Sequence, residues 1–233
     1  MANRQHIVMI PGLLCSAALY AEQVVGLSDV ADIQIADHTG HTTMAAIAAS
    51  ILAKAPPKFA LAGLSMGGYL AFEIMRQAPE RVTRLALLDT NATPDVPERA
   101  SIRRALVSRA NLEGIAAVSA VLYPQWVHPS RLGDAKLAGV VRTMAETVGI
   151  TAYRRQTEAI ITRADSRPLL AAIRVPTLVL CGRQDAATPL AQSEEIARGI
   201  LGCTLVVIEA CGHLSTLEKP AEVTRALRAW LDM

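Results

Sequence analysis

Gly63-Leu64-Ser65-Met66-Gly67-Gly68 stands between an uninterrupted apolar run at 59–63 and a helix-like segment that ends at Ala78-Pro79. The stretch fits G-x-S-x-G, in which a sharp strand-to-helix turn lifts a serine hydroxyl clear of a sheet. Its glycines have a steric reason, since side chains beside so tight a turn would collide with neighbouring backbone. Five residues of this kind also arise by chance, so the weight falls on the position of the stretch and on the partners placed downstream of it. Upstream, Pro56-Pro57 imposes an extended approach to the run.

Outward from this turn, apolar runs bounded by turn signals recur at 6–10, 33–36, 59–63, 82–89, 176–181 and 204–208. Helix-like segments lie between them at 16–26, from Thr42 or Thr43 to about 53, after Ser65 to 78, at 190–199 and at 221–231. A threonine hydroxyl at 42 or 43 can accept an orphan amide and cap its helix. Runs this apolar are strands buried on both faces, which predicts a parallel sheet covered by helices. Right-handed crossovers make such a sheet doubly wound.

The segment 92–170 reads differently. It is helix-prone, rich in Ala, Arg and Leu, and carries no strand run. It interrupts the sheet after the fourth strand, so its ends open on the edge where ligands bind in open α/β sheets. The expected organisation is a core of residues 1–91 and 171–233 with an inserted helical lid at 92–170.

Composition narrows the function classes. A chain of 233 residues supports one sizeable core. With 52% hydrophobic and 19% charged residues it is a packed protein and not a disordered one. A net charge of +2, with acid and base mixed throughout, leaves no nucleic-acid footprint. No apolar stretch reaches the roughly 18 residues of a membrane span, and the opening run is too short for a signal h-region. Cys15, Cys181, Cys203 and Cys211 fall at irregular spacings without a CxxC pair. They read as reduced thiols packed as small hydrophobes, with neither a disulfide framework nor a metal site. A cytoplasmic location follows by elimination, and the oligomeric state stays open.

A serine nucleophile needs a base, and the base needs an orienting acid. After this type of turn the partners come in the order Ser, acid, His. Only His128 and His213 come after Ser65. His128 lies inside 92–170 with no strand to anchor it, whereas Gly212-His213 directly follows the last strand, so His213 is the expected base. Asp185, on the loop leaving the fifth strand, is the expected acid. Asp89 at the end of the fourth strand is its rival, read otherwise as an Asx turn before Thr90-Asn91. Asp165 approaches the fifth strand from the wrong end. The oxyanion of a tetrahedral intermediate needs preorganised donors. One is the Met66 amide, and the second comes from Pro11-Gly12-Leu13-Leu14, assigned to Leu13 with Leu14 as the near alternative.

Other residues have plainer readings. His38 and His41 lack the third ligand of a metal site and read as solvated loop residues or turn ligands. Arg103-Arg104, Arg109 and Arg154-Arg155 either attract a substrate carboxylate or form a solvated helix face. Tyr123, Trp126 and Met144 line a pocket or pack the lid. Cys15 has no paired base, and Tyr69 packs on its own helix.

Taken together, the chain resembles the α/β-hydrolase superfamily over essentially its whole length. Pro11-Gly12-Leu13-Leu14, the turn at Ser65, Gly182-Arg183-Gln184-Asp185 before Thr188-Pro189, and Gly212-His213-Leu214 with Glu218-Lys219-Pro220 match in order. Asp37-His38-Thr39-Gly40-His41 is similar to the family's loop after its next strand. Pro11 stands where the family usually has a histidine, and the family's first two strands are missing. The resemblance implies an α/β fold with a doubly wound six-stranded parallel sheet, order 2-1-3-4-5-6, helices on both faces and an inserted helical lid. It also implies a small lidded serine esterase or lactonase. Such an enzyme needs no cofactor or metal and cleaves a small-molecule ester, thioester or lactone through an acyl-enzyme. The alternatives are a C–C bond hydrolase or perhydrolase with the same triad, and a ligand-binding receptor on this scaffold.

Overall fold

Strand ends set the geometry of this molecule, whose computed structural model describes residues 4–233; residues 1–3 of the expected 1–91 core segment lie outside the described residues. The strands are β1 (Gln5–Ile10), β2 (Ala31–Ile35), β3 (Phe59–Leu64), β4 (Val82–Leu88), β5 (Thr177–Gly182) and β6 (Thr204–Ile208). The helices are α1 (Ala21–Gly26), α2 (Met44–Lys54), α3 (Met66–Gln77), α4 (Pro97–Glu113), α5 (Ile115–Trp126), α6 (Ala135–Ile161), α7 (Arg167–Leu170), α8 (Leu190–Gly199), α9 (Ser215–Glu218) and α10 (Pro220–Leu231). Among the described residues the strands form one parallel sheet in the order β2-β1-β3-β4-β5-β6, as expected.

The period-2 alternation of each strand divides the core between two faces. Met9, Ala62, Leu88 and Leu180 point toward α1 and α10, where Leu27, Leu227 and Trp230 complete one cluster. Ile10, Leu61, Leu87 and Val179 point the other way, toward α2, α3 and α8, and pack with Ile47, Phe72 and Ile196. Every residue of β3 and β5 is buried. That double burial explains why these strands read as continuous apolar runs.

Register brings the C-terminal ends of the central strands to one edge. Ile10 pairs with Gly63, Leu64 with Leu88, Leu88 with Leu180 and Gly182 with Ile208. Strand order reverses between β1 and β3, the switch point at which open α/β sheets leave a crevice. Thr43 caps α2 by accepting the Ala46 amide at 3.2 Å. The expected single helix at 16–26 is instead a 3-10 turn, Ala17–Tyr20, followed by α1. Ser16 Oγ accepts the Ala18 amide at the start of that tighter turn.

The segment between β4 and β5 is helical and strand-free among the described residues. Its main helices α4, α5 and α6 pack on one another. Two backbone breaks articulate them. Gly114 (φ 87°, ψ 162°) separates α4 from α5, and Gly149 (φ 74°, ψ 168°) kinks α6. Both conformations are closed to residues with a Cβ except at a cost.

Candidate active site

Ser65 sits on the β3–α3 turn with φ 56° and ψ −114°, a conformation that L-residues rarely adopt. The turn tolerates it because its flanks are bare. A Cβ on Gly63 would run into the Gly67 carbonyl, and one on Gly67 would run into the Ile10 carbonyl. The strained turn leaves the serine half-buried at the sheet edge, with the N-terminus of α3 beneath it.

His213 and Asp185 meet Ser65 there. His213 Nε2 lies 2.9 Å from Ser65 Oγ, and its Nδ1 lies 2.7 Å from Asp185 Oδ2. The imidazole is 3% exposed, so the chain of contacts is dry except at the serine end. Asp185 Oδ1 accepts the amides of Ala187 and Thr188, both at 2.8 Å, and Oδ2 also accepts Thr188 Oγ at 2.6 Å. Burial works against the charge of Asp185, but the His213 ring and the Thr188 donors outweigh it and hold its carboxyl below the usual range. Burial likewise opposes charging His213. The Asp185 carboxylate beside it, with Asp89 and Glu218 further off, nonetheless raises its pKa above the ordinary histidine value.

Asp89 takes a different part. Its Oδ1 accepts the Gly182 amide at 2.9 Å, and its Oδ2 is bonded by Ser215 Oγ, so it ties the end of β5 to the helix after His213. Burial and the neighbouring Asp185 push its pKa up. His128 lies apart from Ser65, its ring engaged with Ser130. Asp165 pairs with Arg167.

The first-strand loop closes over the serine from the other side. Leu14 adopts φ 60° and donates its amide to Gln156 Oε1 at 3.2 Å, while Leu13 lines the cavity above Ser65. Gln156 comes from α6 and is fully buried. It has no sequence signature, because only tertiary packing shows which face of α6 looks inward. Of the two readings of His38, the structure favours the turn ligand. It is not a solvated loop residue but 2% exposed, with Nε2 3.0 Å from the Gly12 carbonyl. Burial lowers its pKa, so the neutral ring donates to that carbonyl and holds the loop whose usual family histidine is Pro11 here. Cys15 also borders the cavity, but burial pushes its thiol up to about 12, which removes the thiolate.

The helical insertion is fastened to the His213 loop. The Trp126 carbonyl, at the end of α5, accepts both the His213 and Leu214 amides at 3.0 Å. Glu218 bridges the same junction, accepting His128 N–H at 2.7 Å and Gly212 N–H at 2.9 Å. Between the insertion and the sheet edge lies a cavity of about 310 Å³, at the small end of ligand sites. Leu13, Leu106, Leu122 and Trp126 give it apolar walls, and Ser65 with His213 lies at one side. Tyr123 and Met144 are buried in the packing of the insertion instead. Tyr69 does more than pack on its helix: it borders the cavity, accepts Asn91 Nδ2 at 3.1 Å and lies 4.4 Å beneath the Arg163 guanidinium. Of the arginines expected either on a solvated helix face or as anion attractants, Arg103 borders the cavity, whereas Arg104 and Arg109 pair with Glu158 and Glu113 outside it.

Comparison with known proteins places this architecture. A thermophilic esterase from Thermogutta terrifontis, in its malate-bound structure, superposes with a TM-score of 0.90 at 30% identity, covering 100% of this chain and 91% of the esterase. The enol-lactonase of Burkholderia xenovorans LB400 gives a TM-score of 0.89 at 25% identity, over 99% of this chain and 92% of its own. Among curated sequences, 3-oxoadipate enol-lactonase 2 of Acinetobacter baylyi is 29% identical over 74% of this chain, and a putative carbamate hydrolase RutD of Pseudomonas syringae is 29% identical over 73%. The matches span 63% and 66% of those two relatives' lengths. The family model for the alpha/beta hydrolase fold matches residues 5–220, and with its sheet order of β2-β1-β3-β4-β5-β6 the chain belongs to that family.

Proposed function

We propose that this protein is a serine hydrolase of small carboxylic esters, thioesters or lactones, with Ser65 as nucleophile, His213 as base and Asp185 as acid. The observation that carries this reading is the dry relay in which one imidazole spans Ser65 Oγ at 2.9 Å and Asp185 Oδ2 at 2.7 Å. Ser65 Oγ attacks the acyl carbon while His213 Nε2 takes its proton. Asp185 holds the tautomer and stabilises the imidazolium without itself becoming protonated. The oxyanion faces the amides of Leu13 and Met66, a contact worth roughly 10²–10³ in rate per donor. Leu13 is favoured over Leu14 because the Leu14 amide is already engaged by Gln156. His213 then protonates the leaving group, and water, deprotonated by the same ring, releases the acid from the acyl-enzyme.

Esterases and enol-lactonases among the similar proteins support hydrolysis of an acyl bond. Residues 92–170 act as the lid in this reading. Among the described residues no helix is long and apolar enough to cross a membrane. The free cysteines suit a reducing compartment, and the cytoplasm is the proposed location. The test is labelling with a fluorophosphonate probe followed by peptide mapping, beside turnover of nitrophenyl esters. The reading requires the label on Ser65 and its loss in Ser65→Ala. A label elsewhere, or ester turnover undiminished in Ser65→Ala, would overturn it.

A further inference from the structure

One face of α4 looks into the cavity. Arg99, Ile102, Arg103 and Leu106 all border it, at the i, i+3, i+4, i+7 spacing of a single helical stripe. The two arginines therefore stand on the ligand side of α4. Among the described residues no aspartate or glutamate borders the cavity with them, so its charged lining is cationic apart from the His213 side. Arg103 is held in place from behind. Its Nε donates to Asp95 Oδ2 at 3.1 Å, and the Asp95 side chain is only 1% exposed. Arg163 shares that carboxylate at 3.1 Å, so one acid answers two guanidinium groups. The Nη nitrogens of Arg103 meet no protein acceptor among the described residues, and Arg99 has no acidic partner among them. A forked donor with its Nε anchored and its Nη edge free suits a planar, bidentate acceptor.

We propose that Arg99 and Arg103 form an anion subsite selecting acyl substrates that end in a carboxylate: the half-ester or carboxyl-bearing lactone of a dicarboxylic acid. The scissile carbonyl lies at Ser65, the chain crosses the apolar walls, and the distal carboxylate docks on α4. This rests on the reading of Ser65 as nucleophile. An apolar cavity with a few placed polar groups fixes orientation in this way; Arg99 is exposed and Arg103 half-buried, so the subsite lies at the rim of the cavity.

The test compares monomethyl esters of glutaric, adipic and suberic acids with their dimethyl esters, which keep the shape and remove the charge. The best half-ester should exceed its diester in kcat/KM by about tenfold or more, mostly through KM. Arg99→Gln and Arg103→Gln should bring that ratio toward one, and Arg103→Lys should fall between, retaining charge without the fork. Because the ratio is internal to each protein, a general loss of folded enzyme lowers both substrates alike. A wild-type ratio at or below one overturns the proposal, as does a ratio that survives in both glutamine variants. A neutral acyl thioester of phosphopantetheine that outruns every half-ester would put the anion on the leaving group and also overturn it. If no ester turns over and the probe leaves Ser65 unlabelled, the hydrolase reading fails first. Turnover with the wrong ratio sinks the subsite alone.

Discussion

β3 and β5 bury every residue, and the turns at their ends carry Ser65 and Asp185. α4, a helix of 17 residues on the other side of the same cavity, buries only Ala100 and Ala110 and is joined to its neighbour by an open Gly114. The two regions bracket one site but are held by different forces. The sheet edge is fixed by doubly packed strands, close backbone approach and a buried hydrogen-bond relay. The insertion is held by helix–helix contacts, ion pairs that are exposed or half-exposed apart from buried Asp95–Arg163, and a few fastenings to the loops below. In the proposed reading, chemistry that needs sub-ångström placement sits on the first, while the surfaces that meet the substrate's variable part sit on the second.

That contrast can be broken most directly at Ser65, the proposed nucleophile. Ser65→Ala should lower ester turnover by roughly 10⁴–10⁶-fold with an unchanged melting temperature, measured by steady-state kinetics beside calorimetry. A thermal shift of many degrees would show that the serine serves packing as well.

Next in size is one substitution made in both regions. Gly67→Ala drives a methyl group into the Ile10 carbonyl, which neither backbone can vacate, and should destabilise by about 3 kcal/mol or more. Gly149→Ala meets no neighbour and faces only the strain of φ 74°, ψ 168°, about 1–3 kcal/mol. Denaturant titration of the pair checks this, and equal losses would erase the distinction between the regions.

Gln156 joins the two regions, reaching from α6 to the Leu14 amide. Gln156→Leu should lower kcat roughly tenfold through a loosened oxyanion loop, with KM within about twofold. A change confined to KM would move Gln156 from positioning the loop to shaping the pocket.

The smallest effect lies in the pH profile. His213 must be neutral to act as base, and its pKa is raised above 6.5, so kcat/KM should fall on the acid side with a midpoint above that value. The sign for stability is opposite. The Asp185–His213 pairing stabilises the fold below histidine's ordinary pKa, and that contribution fades as pH rises through the raised one. A midpoint at or below 6.5 would mean that burial, and not Asp185, governs the ring.

The sheet was legible because double burial writes itself as unbroken apolar runs, and its order came once the turn at Ser65 carried the family resemblance. The meeting of Ser65, Asp185 and His213 at one sheet edge was legible for a related reason: each lies one short loop past a strand, where sequence position nearly fixes spatial position. His38 stayed between two readings because nothing in Asp37-His38-Thr39-Gly40-His41 shows that one histidine folds under Gly12 while the other stays outside. Gln156 and Arg99 passed unnoticed on helices whose inward faces are set by partners distant in the chain. α4 in particular has too few buried positions for its period to reveal an inner side.

The double acceptance by the Trp126 carbonyl and the Glu218 bridge also bears on how this scaffold can be re-engineered. The stretch from Trp126 to His128 is a structural neighbour of His213, although it belongs to the insertion. Swapping α4 for a foreign helix exchanges the proposed recognition surface and leaves those bonds intact. Swapping the end of α5 removes the scaffolding of His213 itself. The boundary for a specificity graft therefore falls within the insertion, between α4 and the end of α5, and not at the junctions where the insertion leaves the sheet.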